Sequence, residues 1–126
     1  MEIEWLPGEF TVCRLPDGFK PDLSMGFCFF ARTGVETSLV CRTEDVPGDA
    51  SRREDGWKCF RFCGTLDFSL TGVLSRVSGI LAEKGIGIFA VSTYDTDYIL
   101  VKKENFKSAC GALSENGYSI RNKELE

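Results

Sequence analysis

The sequence predicts an α+β fold in which two helices cover one face of an antiparallel sheet, in the order β-α-β-β-α-β over residues 57–121. Three observations give this prediction. Aliphatic residues at helical spacing follow a strand-like segment at 57–64, two short β-rich segments come next, and a second amphipathic segment precedes a last short strand. Residues 1–41 add three strand-like segments with little helical character.

The N-terminal part is predicted to hold a first strand and a hairpin. Residues 9–15 (EFTVCRL) are rich in β-formers and stop at Pro16-Asp17-Gly18, where proline fixes φ and glycine accepts a positive φ. Residues 26–32 and 36–41 flank Thr33-Gly34-Val35, a spacing typical of a hairpin with glycine in its turn.

A polar connection suggests how the chain is divided. Residues 42–56 are charged and contain Pro47-Gly48, which predicts a surface connection with one helical turn at 44–46. We predict that residues 1–56 form a reduced repeat with this connection and that residues 57–126 form a complete one. The alternative is that the N-terminal strands merely extend a single sheet.

The first helix is predicted from a stripe of six aliphatic residues, namely Leu70, Val73, Leu74, Val77, Ile80 and Leu81. Each contributes about 1.5–3 kcal/mol when fully buried, so the stripe is expected to face a sheet. Asp67 or Ser69 is expected to cap the start of this helix, and Gly85 is expected to adopt the left-handed conformation that ends it.

The remaining elements follow from the same patterns. In the strand at 57–64, alternation places Lys58, Phe60 and Phe62 on one face and Trp57, Cys59, Arg61 and Cys63 on the other. Residues 86–92 and 98–101 are predicted to be antiparallel neighbours. A second helix opens at 103–105 and closes at Asn116-Gly117, before a strand at 118–120.

Composition argues against two classes of partner. The 126 residues include 19 acidic and 15 basic side chains, for a net charge of −4, and no stripe of lysine and arginine could neutralise a row of phosphates. No apolar run reaches the roughly 20 residues that span a bilayer, and the acidic N-terminus does not resemble a signal peptide. We therefore predict a cytoplasmic protein that binds neither nucleic acid nor membrane.

Side chains that could support catalysis or bind metal are few. The chain has no histidine, and its six cysteines are predicted to be reduced, mostly buried thiols, so we expect no metal, no cofactor and no catalytic residue. Asp67, Asp95 and Asp97 could form an acid–base or metal cluster if their loops meet. The alternative roles are a helix cap for the first and turn acceptors for the other two.

Two loops are candidates for ligand binding. Residues 65–72 lead into the N-terminus of the first helix, whose unpaired N–H groups suit a carboxylate, although a plain capped loop has the same pattern. Gly72 would allow close approach of a ligand or of another backbone. Residues 92–97 carry more hydrogen-bonding groups than a tight turn needs. The two loops need not lie at the same end of the sheet, so a ligand touching both would lie between domains or subunits.

The stretch LDFSLTGVLSRVSGILAEKGIGIFAVSTYDTDYILV resembles an ACT domain, the small ligand-binding module of aspartate kinases and other enzymes of amino-acid metabolism. The resemblance is specific over residues 57–120 and looser over residues 8–41. It is closest to bacterial stand-alone proteins with two ACT-like repeats and to the related domains of cytosolic arginine sensors. It implies a ferredoxin-like βαββαβ domain preceded by a reduced ACT-like repeat.

The resemblance also implies a ligand site and an assembly. Asp95 or Asp97 would pair with the amino group of a ligand, and a homodimer would place that ligand at its interface. The implied effector loop and polar wall comprise Asp67, Ser69, Leu70, Thr71, Gly72, Val73, Ser92, Thr93, Tyr94, Asp95, Thr96 and Asp97.

Three functions compete at this point. The first is an amino-acid-binding ACT protein that works as a homodimer and regulates an enzyme. The second is a ligand-free ACT-fold module that docks on a protein partner. The third, a small enzyme, is the weakest because every carboxylate has a structural role open to it and histidine is missing.

Overall fold

The structure is a computed structural model of the chain, and it describes residues 1–63 and 72–122. Two compact units are present, one made of Met1–Pro7 with Lys58–Glu126 and the other of Gly8–Trp57. The strands are β1 (Glu2–Trp5), β2 (Phe10–Leu15), β3 (Cys28–Arg32), β4 (Thr37–Arg42), β5 (Arg52–Phe62), β6 (Phe89–Ser92), β7 (Asp97–Lys102) and β8 (Ser119–Asn122). The helices are α1 (Val73–Glu83) and α2 (Phe106–Glu115). The predicted α+β class and the β-α-β-β-α-β order from β5 to β8 are confirmed.

The unit that contains both helices is built on strands in the order β6-β7-β5-β1-β8. Its core lies on one face of these strands, because alternate residues of β1, β5 and β7 share a core with α1 and α2. The strand residues of this core are Ile3, Trp5, Phe60, Phe62, Ile99 and Val101, and its helix residues include Val77, Leu81, Ala109 and Leu113. Both helices therefore cover the same face, as predicted.

Strand β1 was not predicted, and it lies between β5 and β8 in this unit. It pairs antiparallel with β5, with Ile3 opposite Phe62, and parallel with β8, with Glu2 opposite Ser119. The parallel pair differs from the expected all-antiparallel sheet. The four residues EIEW precede Pro7-Gly8 and lie far from both partners in sequence, so no local pattern identifies them as a strand.

The other unit contains the predicted hairpin. Strands β3 and β4 pair antiparallel from Cys28 opposite Cys41 to Arg32 opposite Thr37, and β4 pairs with β2. The segment after β4 forms a 3-10 turn at Thr43–Asp45, one residue earlier than the helical turn predicted at 44–46. One face of this unit packs around Cys13, Leu15, Leu39 and Cys41. No disulfide joins the six cysteines, of which Cys13, Cys41 and Cys59 are buried and Cys28, Cys63 and Cys110 are partly buried.

The prediction that residues 52–56 are a surface connection is wrong, because β5 begins at Arg52. Its first residues are charged, yet their backbone pairs with β2, with Arg14 opposite Arg52. Phe10 faces Trp57 and Val12 faces Glu54, so β5 carries one extra residue between these pairs. Gly56, at φ +83°, provides the backbone conformation that this bulge requires.

Helix α1 begins later than predicted. It starts at Val73, and Gly72 at φ +82° is its N-cap residue, so neither Asp67 nor Ser69 occupies the capping position. Gly85 has φ +72° and its N–H donates to the carbonyl of Ala82 at 2.9 Å, which confirms it as the residue that ends the helix.

Candidate functional site

The polar turn between β6 and β7 is closed by its own threonines. Ser92 lies opposite Asp97 at the ends of the two strands. Within the turn, the Thr93 N–H and the Thr93 hydroxyl both donate to the carbonyl of Thr96, each at 2.9 Å. The turn therefore uses Thr93 to hold its backbone, whereas Tyr94 and Asp95 at its tip are exposed and have side chains that face solvent.

Thr96 attaches this turn to the end of β5. Its side chain is buried, and its Oγ1 donates to the carbonyl oxygen of Phe62 at 3.0 Å. Phe62 is the last residue of β5, and residues 64–71 follow directly after Cys63. The turn and the start of the β5–α1 loop therefore lie at the same end of one unit.

The start of α1 leaves its first N–H groups without a cap from the side chains that the structure describes. The Arg76 N–H donates to the carbonyl of Gly72 at 2.8 Å, which is the first helical hydrogen bond. No acidic residue stands in the first turn. Among the residues that the structure describes, none lies within 4 Å of a Cβ added at Gly72, whereas the positive φ of this residue by itself favours glycine.

The remaining predicted loop residues divide into two groups. Val73 is the first residue of α1, and its partly buried side chain packs against the core of the helical unit. Asp67, Ser69, Leu70 and Thr71 lie outside the described residues. The role of these five residues in ligand binding stays a prediction.

A charged cluster that was not predicted from the sequence lies on the sheet face opposite the helices. Its centre is Glu4 of β1, whose neighbours across the strands are Arg61 of β5 and Arg121 of β8. Arg61 Nη2 lies 3.1 Å from Glu4 Oε1, and Arg121 Nη2 lies 2.8 Å from Glu4 Oε2. The Glu4 side chain is only 2% exposed, so both of its oxygens are held by these arginines in a buried position.

Tyr98 of β7 belongs to the same face, since its neighbour Ile99 points into the helical core. Burial raises the pKa of the Tyr98 phenol, and the positive charge of Arg61 opposes that rise. The negative charges of Glu4 and Asp95 raise the same pKa further. The phenol is therefore within electrostatic reach both of Arg61 in the sheet and of Asp95 in the turn.

The signal that could have revealed Arg61 was present in the sequence. Alternation along residues 57–63 placed it on a strand face that otherwise carries Trp57, Cys59 and Cys63. A single arginine on an apolar strand face needs a partner of opposite charge. The partner is Glu4, which lies 57 positions earlier in the chain and could not be assigned without knowledge of β1.

Two other classes of site receive no support from the described part of the chain. Residues 1–63 and 72–122 contain no group of three or more cysteine, aspartate or glutamate side chains arranged to hold a metal ion. Neither helix described there is long and apolar enough to cross a bilayer.

Comparison with known proteins places the fold in a defined group. The family model of the ACT domain matches residues 52–115. The crystal structure of protein Atu0741 from Agobacterium tumefaciens superposes with a TM-score of 0.86 and 33% sequence identity, over 97% of this chain and 92% of that one. A search of the curated proteins gives no match.

More distant structures share the fold alone. Protein VC0802 from Vibrio cholerae, described as a protein of unknown function and possible transport protein, gives a TM-score of 0.70 at 23% identity, over 90% of this chain and 88% of that one. Aspartate kinase from Clostridium acetobutylicum, described as an allosteric enzyme, gives 0.63 at 12% identity, over 89% of this chain and 32% of the kinase. The ACT model covers half of the chain and Atu0741 is similar over nearly all of it, so this chain belongs to the ACT domain family.

Proposed function

We propose that this protein binds a free amino acid between the loop at residues 64–71 and the turn at residues 92–97, and that it regulates an enzyme through this binding. The observation that carries the proposal is the hydrogen bond from Thr96 to the carbonyl of Phe62, because it holds the polar turn beside the start of that loop. Membership of the ACT family supports a small-molecule-binding regulatory role.

The chemistry of the two loops suits a zwitterionic ligand. The N–H groups at the start of α1 and the positive end of its dipole favour a carboxylate. The exposed carboxylate of Asp95, together with Asp97 at the start of β7, suits an ammonium group. A free amino acid carries both groups a few bonds apart.

Calorimetric titration with the common L-amino acids, one at a time, tests this proposal. We expect one or a few to bind and the Asp95→Asn variant to bind them at least tenfold more weakly. Glu36→Gln is a matched control, because Glu36 is an exposed acidic residue in the corresponding turn of the hairpin β3–β4. Wild-type protein that is folded yet binds none of the amino acids would contradict the proposal.

We also propose that the two units are ACT-like repeats, divided near residue 56. In the β3–β4 turn the Thr33 N–H donates to the carbonyl of Glu36 at 2.9 Å, as Thr93 does to Thr96. A 3-10 turn follows the second strand of each hairpin, β4 in one unit and β7 in the other. The residues before the two turns have matching conformations, with Arg42 at φ −62° and ψ 146° and Lys102 at φ −64° and ψ 144°. No helix lies between β2 and β3, a segment that the structure describes in full, so we expect one ligand per chain.

The assembly proposed for this function is a homodimer, in which strand edges or helix faces of two copies meet near the ligand. Light scattering with and without the bound amino acid measures this directly. We expect a dimer whose dissociation constant changes when the ligand is present. A protein that stays monomeric at all accessible concentrations would contradict the proposed dimer. That result would not contradict the proposed ligand site.

A protein-interaction module is the second candidate, and the exposure of Tyr94 favours it. This side chain is 80% exposed at the tip of the turn, where a large aromatic ring is well placed to bury apolar area against a partner. If this function holds, Tyr94→Ser abolishes capture of a defined partner enzyme while amino acids leave that capture unchanged. If the sensor function holds, capture depends on the amino acid.

A further inference from the structure

We propose that Cys28 and Cys41 are a redox-sensitive modification site, at which a reversible disulfide fastens strand β3 to strand β4. The site lies within the unit Gly8–Trp57. This inference does not depend on the proposed amino-acid site. It is carried by the register of the β3–β4 hairpin, by the burial of the two thiols, and by the different position of Cys13 in the same unit.

The hairpin register places the two thiols side by side. Cys28 lies directly opposite Cys41, at the end of the hairpin away from its turn. Residues directly opposite each other in an antiparallel pair of strands project from the same face. The packing agrees, because Cys41 belongs to the core around Leu39 and Cys28 packs against that core. Both thiols therefore lie on the same side of the two strands.

The pair is also of the type in which two strands approach most closely. The Thr33 N–H donates to the carbonyl of Glu36 at 2.9 Å, which makes these two residues a hydrogen-bonded pair. Hydrogen-bonded and non-hydrogen-bonded pairs alternate along an antiparallel ladder, and Cys28 with Cys41 is the fifth pair after the turn. It is therefore a non-hydrogen-bonded pair. Such pairs have Cα atoms about 4.5 Å apart, within the roughly 4.4–6.8 Å that disulfides span.

The two thiols differ in their access to solvent. Cys41 has no exposed surface, whereas Cys28 is only partly buried. Burial raises the pKa of Cys41 to about 12, so this thiol reacts slowly with a reagent in solution. We therefore expect Cys28 to meet an oxidant first and Cys41 to close the bond.

A low-molecular-weight disulfide such as oxidised glutathione is the oxidant in this proposal. The Cys28 thiolate attacks one sulfur of that disulfide, whose S–S bond breaks and releases one thiol. Cys41 then loses its proton and attacks Cys28 Sγ, which forms the protein disulfide and releases the second thiol. Two protein thiols are oxidised, one small disulfide is reduced, and two protons pass to the released thiols. Because the second step occurs within one molecule, proximity offsets the low thiolate fraction of Cys41.

The bond would act on an edge strand. Among the strands that the structure describes, β3 stands at the end of the strand order and pairs with β4 alone. The turn already joins the two strands at one end of the hairpin, and the disulfide would join them at the other. Separation of β3 from β4 would then require either reduction of the disulfide or unfolding of β4 as well.

Cys13 of β2 packs in the same core and is not placed for this bond. It lies opposite Leu39 in the pairing of β2 with β4, so it is a diagonal neighbour of Cys41. Diagonal neighbours are about 7–8 Å apart, too far for a disulfide without movement of the backbone. Cys13 is therefore a matched control, a buried thiol of the same unit that we expect to stay unlinked.

The experiment treats the folded protein with excess oxidised glutathione and then blocks the remaining thiols by alkylation. Digestion with an arginine-specific protease and mass spectrometry without reductant locate the disulfides. The three cysteines fall in separate peptides, residues 1–14, 15–32 and 33–42. We expect most chains to link 15–32 with 33–42, and dithiothreitol to reverse the link. Amide hydrogen exchange in β3 is expected to be slower in the linked protein than in the reduced protein.

Three variants separate the roles of the thiols. Cys41→Ser is expected to stop at a mixed disulfide between Cys28 and glutathione, and Cys28→Ser is expected to form no link. Cys13→Ser is expected to form the link to the wild-type extent. Circular dichroism confirms that each variant is folded, and the map of the wild-type protein carries the test if one is not.

Two results for the folded wild-type protein would overturn the proposal. In one, Cys28 and Cys41 remain free thiols or Cys28 carries only glutathione. In the other, the link includes the peptide of residues 1–14, which would assign the bond to Cys13. Unchanged hydrogen exchange of β3 in the linked protein would overturn the fastening of this strand while the modification site stands.

Discussion

The hydroxyl of Thr96 donates to the carbonyl of Phe62, and this bond joins the turn of one hairpin to the end of the neighbouring strand. Thr96 belongs to the turn that we propose to contact the ligand, and the loop that we propose to contact it begins at residue 64, two positions after Phe62. The bond is buried, so its contribution to stability and its effect on the site can be measured by removing one hydroxyl.

Thr96→Val removes this hydroxyl and keeps the shape of the side chain. We expect the free energy of unfolding to fall by about 1 kcal/mol, because a buried side-chain hydrogen bond is lost. Affinity for the amino acid is also expected to fall, since the turn loses its side-chain hydrogen bond to the end of β5. Urea denaturation and calorimetry measure the two effects. Thr93→Val is the control for stability, because the Thr93 N–H keeps its own bond to the Thr96 carbonyl; a loss as large as that of Thr96→Val would contradict the role assigned to Thr96.

Glu4→Gln tests the buried carboxylate between Arg61 and Arg121. We expect the free energy of unfolding to fall by about 3 kcal/mol, at the lower end of the range for a broken buried ion pair. The lower end applies because both arginine side chains are partly exposed to solvent. Glu2→Gln is the comparison, since the Glu2 carboxylate is 46% exposed and forms its ion pair with Arg121 at the surface. Its loss is expected to cost less than about 1 kcal/mol, as for other surface ion pairs. Equal losses in the two variants would show that burial of Glu4 has no energetic consequence.

Alkaline pH is expected to destabilise the protein through its buried thiols. Burial raises the pKa of Cys41 to about 12 and that of Cys110 to about 11, from an ordinary value of 9.0. Between these values the unfolded chain releases the protons while the folded chain keeps them, so the free energy of unfolding falls as pH rises above about 9. Stability from this source is complete below pH 9.

Urea denaturation at several pH values between 8 and 11 measures this effect. In the Cys41→Ala variant the slope of stability against pH is expected to be shallower, although the variant is less stable at pH 8 because it leaves a small cavity. A slope identical to that of wild type would show that Cys41 does not contribute to it.

Gly72→Ala is expected to destabilise the protein by about 1 kcal/mol, because an alanine at φ +82° is strained. Gly72→Asn should cost less, since asparagine tolerates this conformation. Gly79→Ala is a control of opposite sign. Gly79 lies within α1 with an ordinary φ, and no atom of the described residues lies within 4 Å of a Cβ added there, so alanine is expected to stabilise the helix by roughly 0.5–1 kcal/mol. Thermal unfolding of the three variants shows whether backbone strain or helix propensity determines the change in stability at each position.

Patterns confined to one segment allowed most of the fold to be predicted. The spacing of Val77 and Leu81, the glycine at position 85 and the hairpin around Thr33 each depend on neighbours a few residues away. Strand β1 could not be found this way, because its pairing with residues 60–62 and 119–122 depends on tertiary contacts alone. The charged start of β5 was predicted to be a surface connection because its strand structure also depends on a tertiary contact. Backbone pairing with β2 overrides the low β-propensity of its side chains.

The candidate site shows the same division. The concentration of polar residues at 92–97 was visible in the sequence, yet the sequence could not show that Thr93 and Thr96 serve the backbone of the turn while Asp95 faces solvent. Arg61 was assigned to a strand face and given no role. Its place in the charged cluster depends on Glu4, and a pair of residues 57 positions apart cannot be matched by periodicity.

The placement of β1 between β5 and β8 also has a consequence for the order of folding. Residues 8–57 are contiguous, so that unit has all of its strand partners once residue 57 has left the ribosome. Strand β1 is synthesised first, yet its two partners arrive only with residues 60–62 and 119–122. The unit that carries the proposed site therefore completes its folding last. Its contacts join residues that are far apart in sequence, and such contacts slow folding. We expect Glu4, made among the first residues, to meet Arg121 only when nearly all of the described chain has emerged.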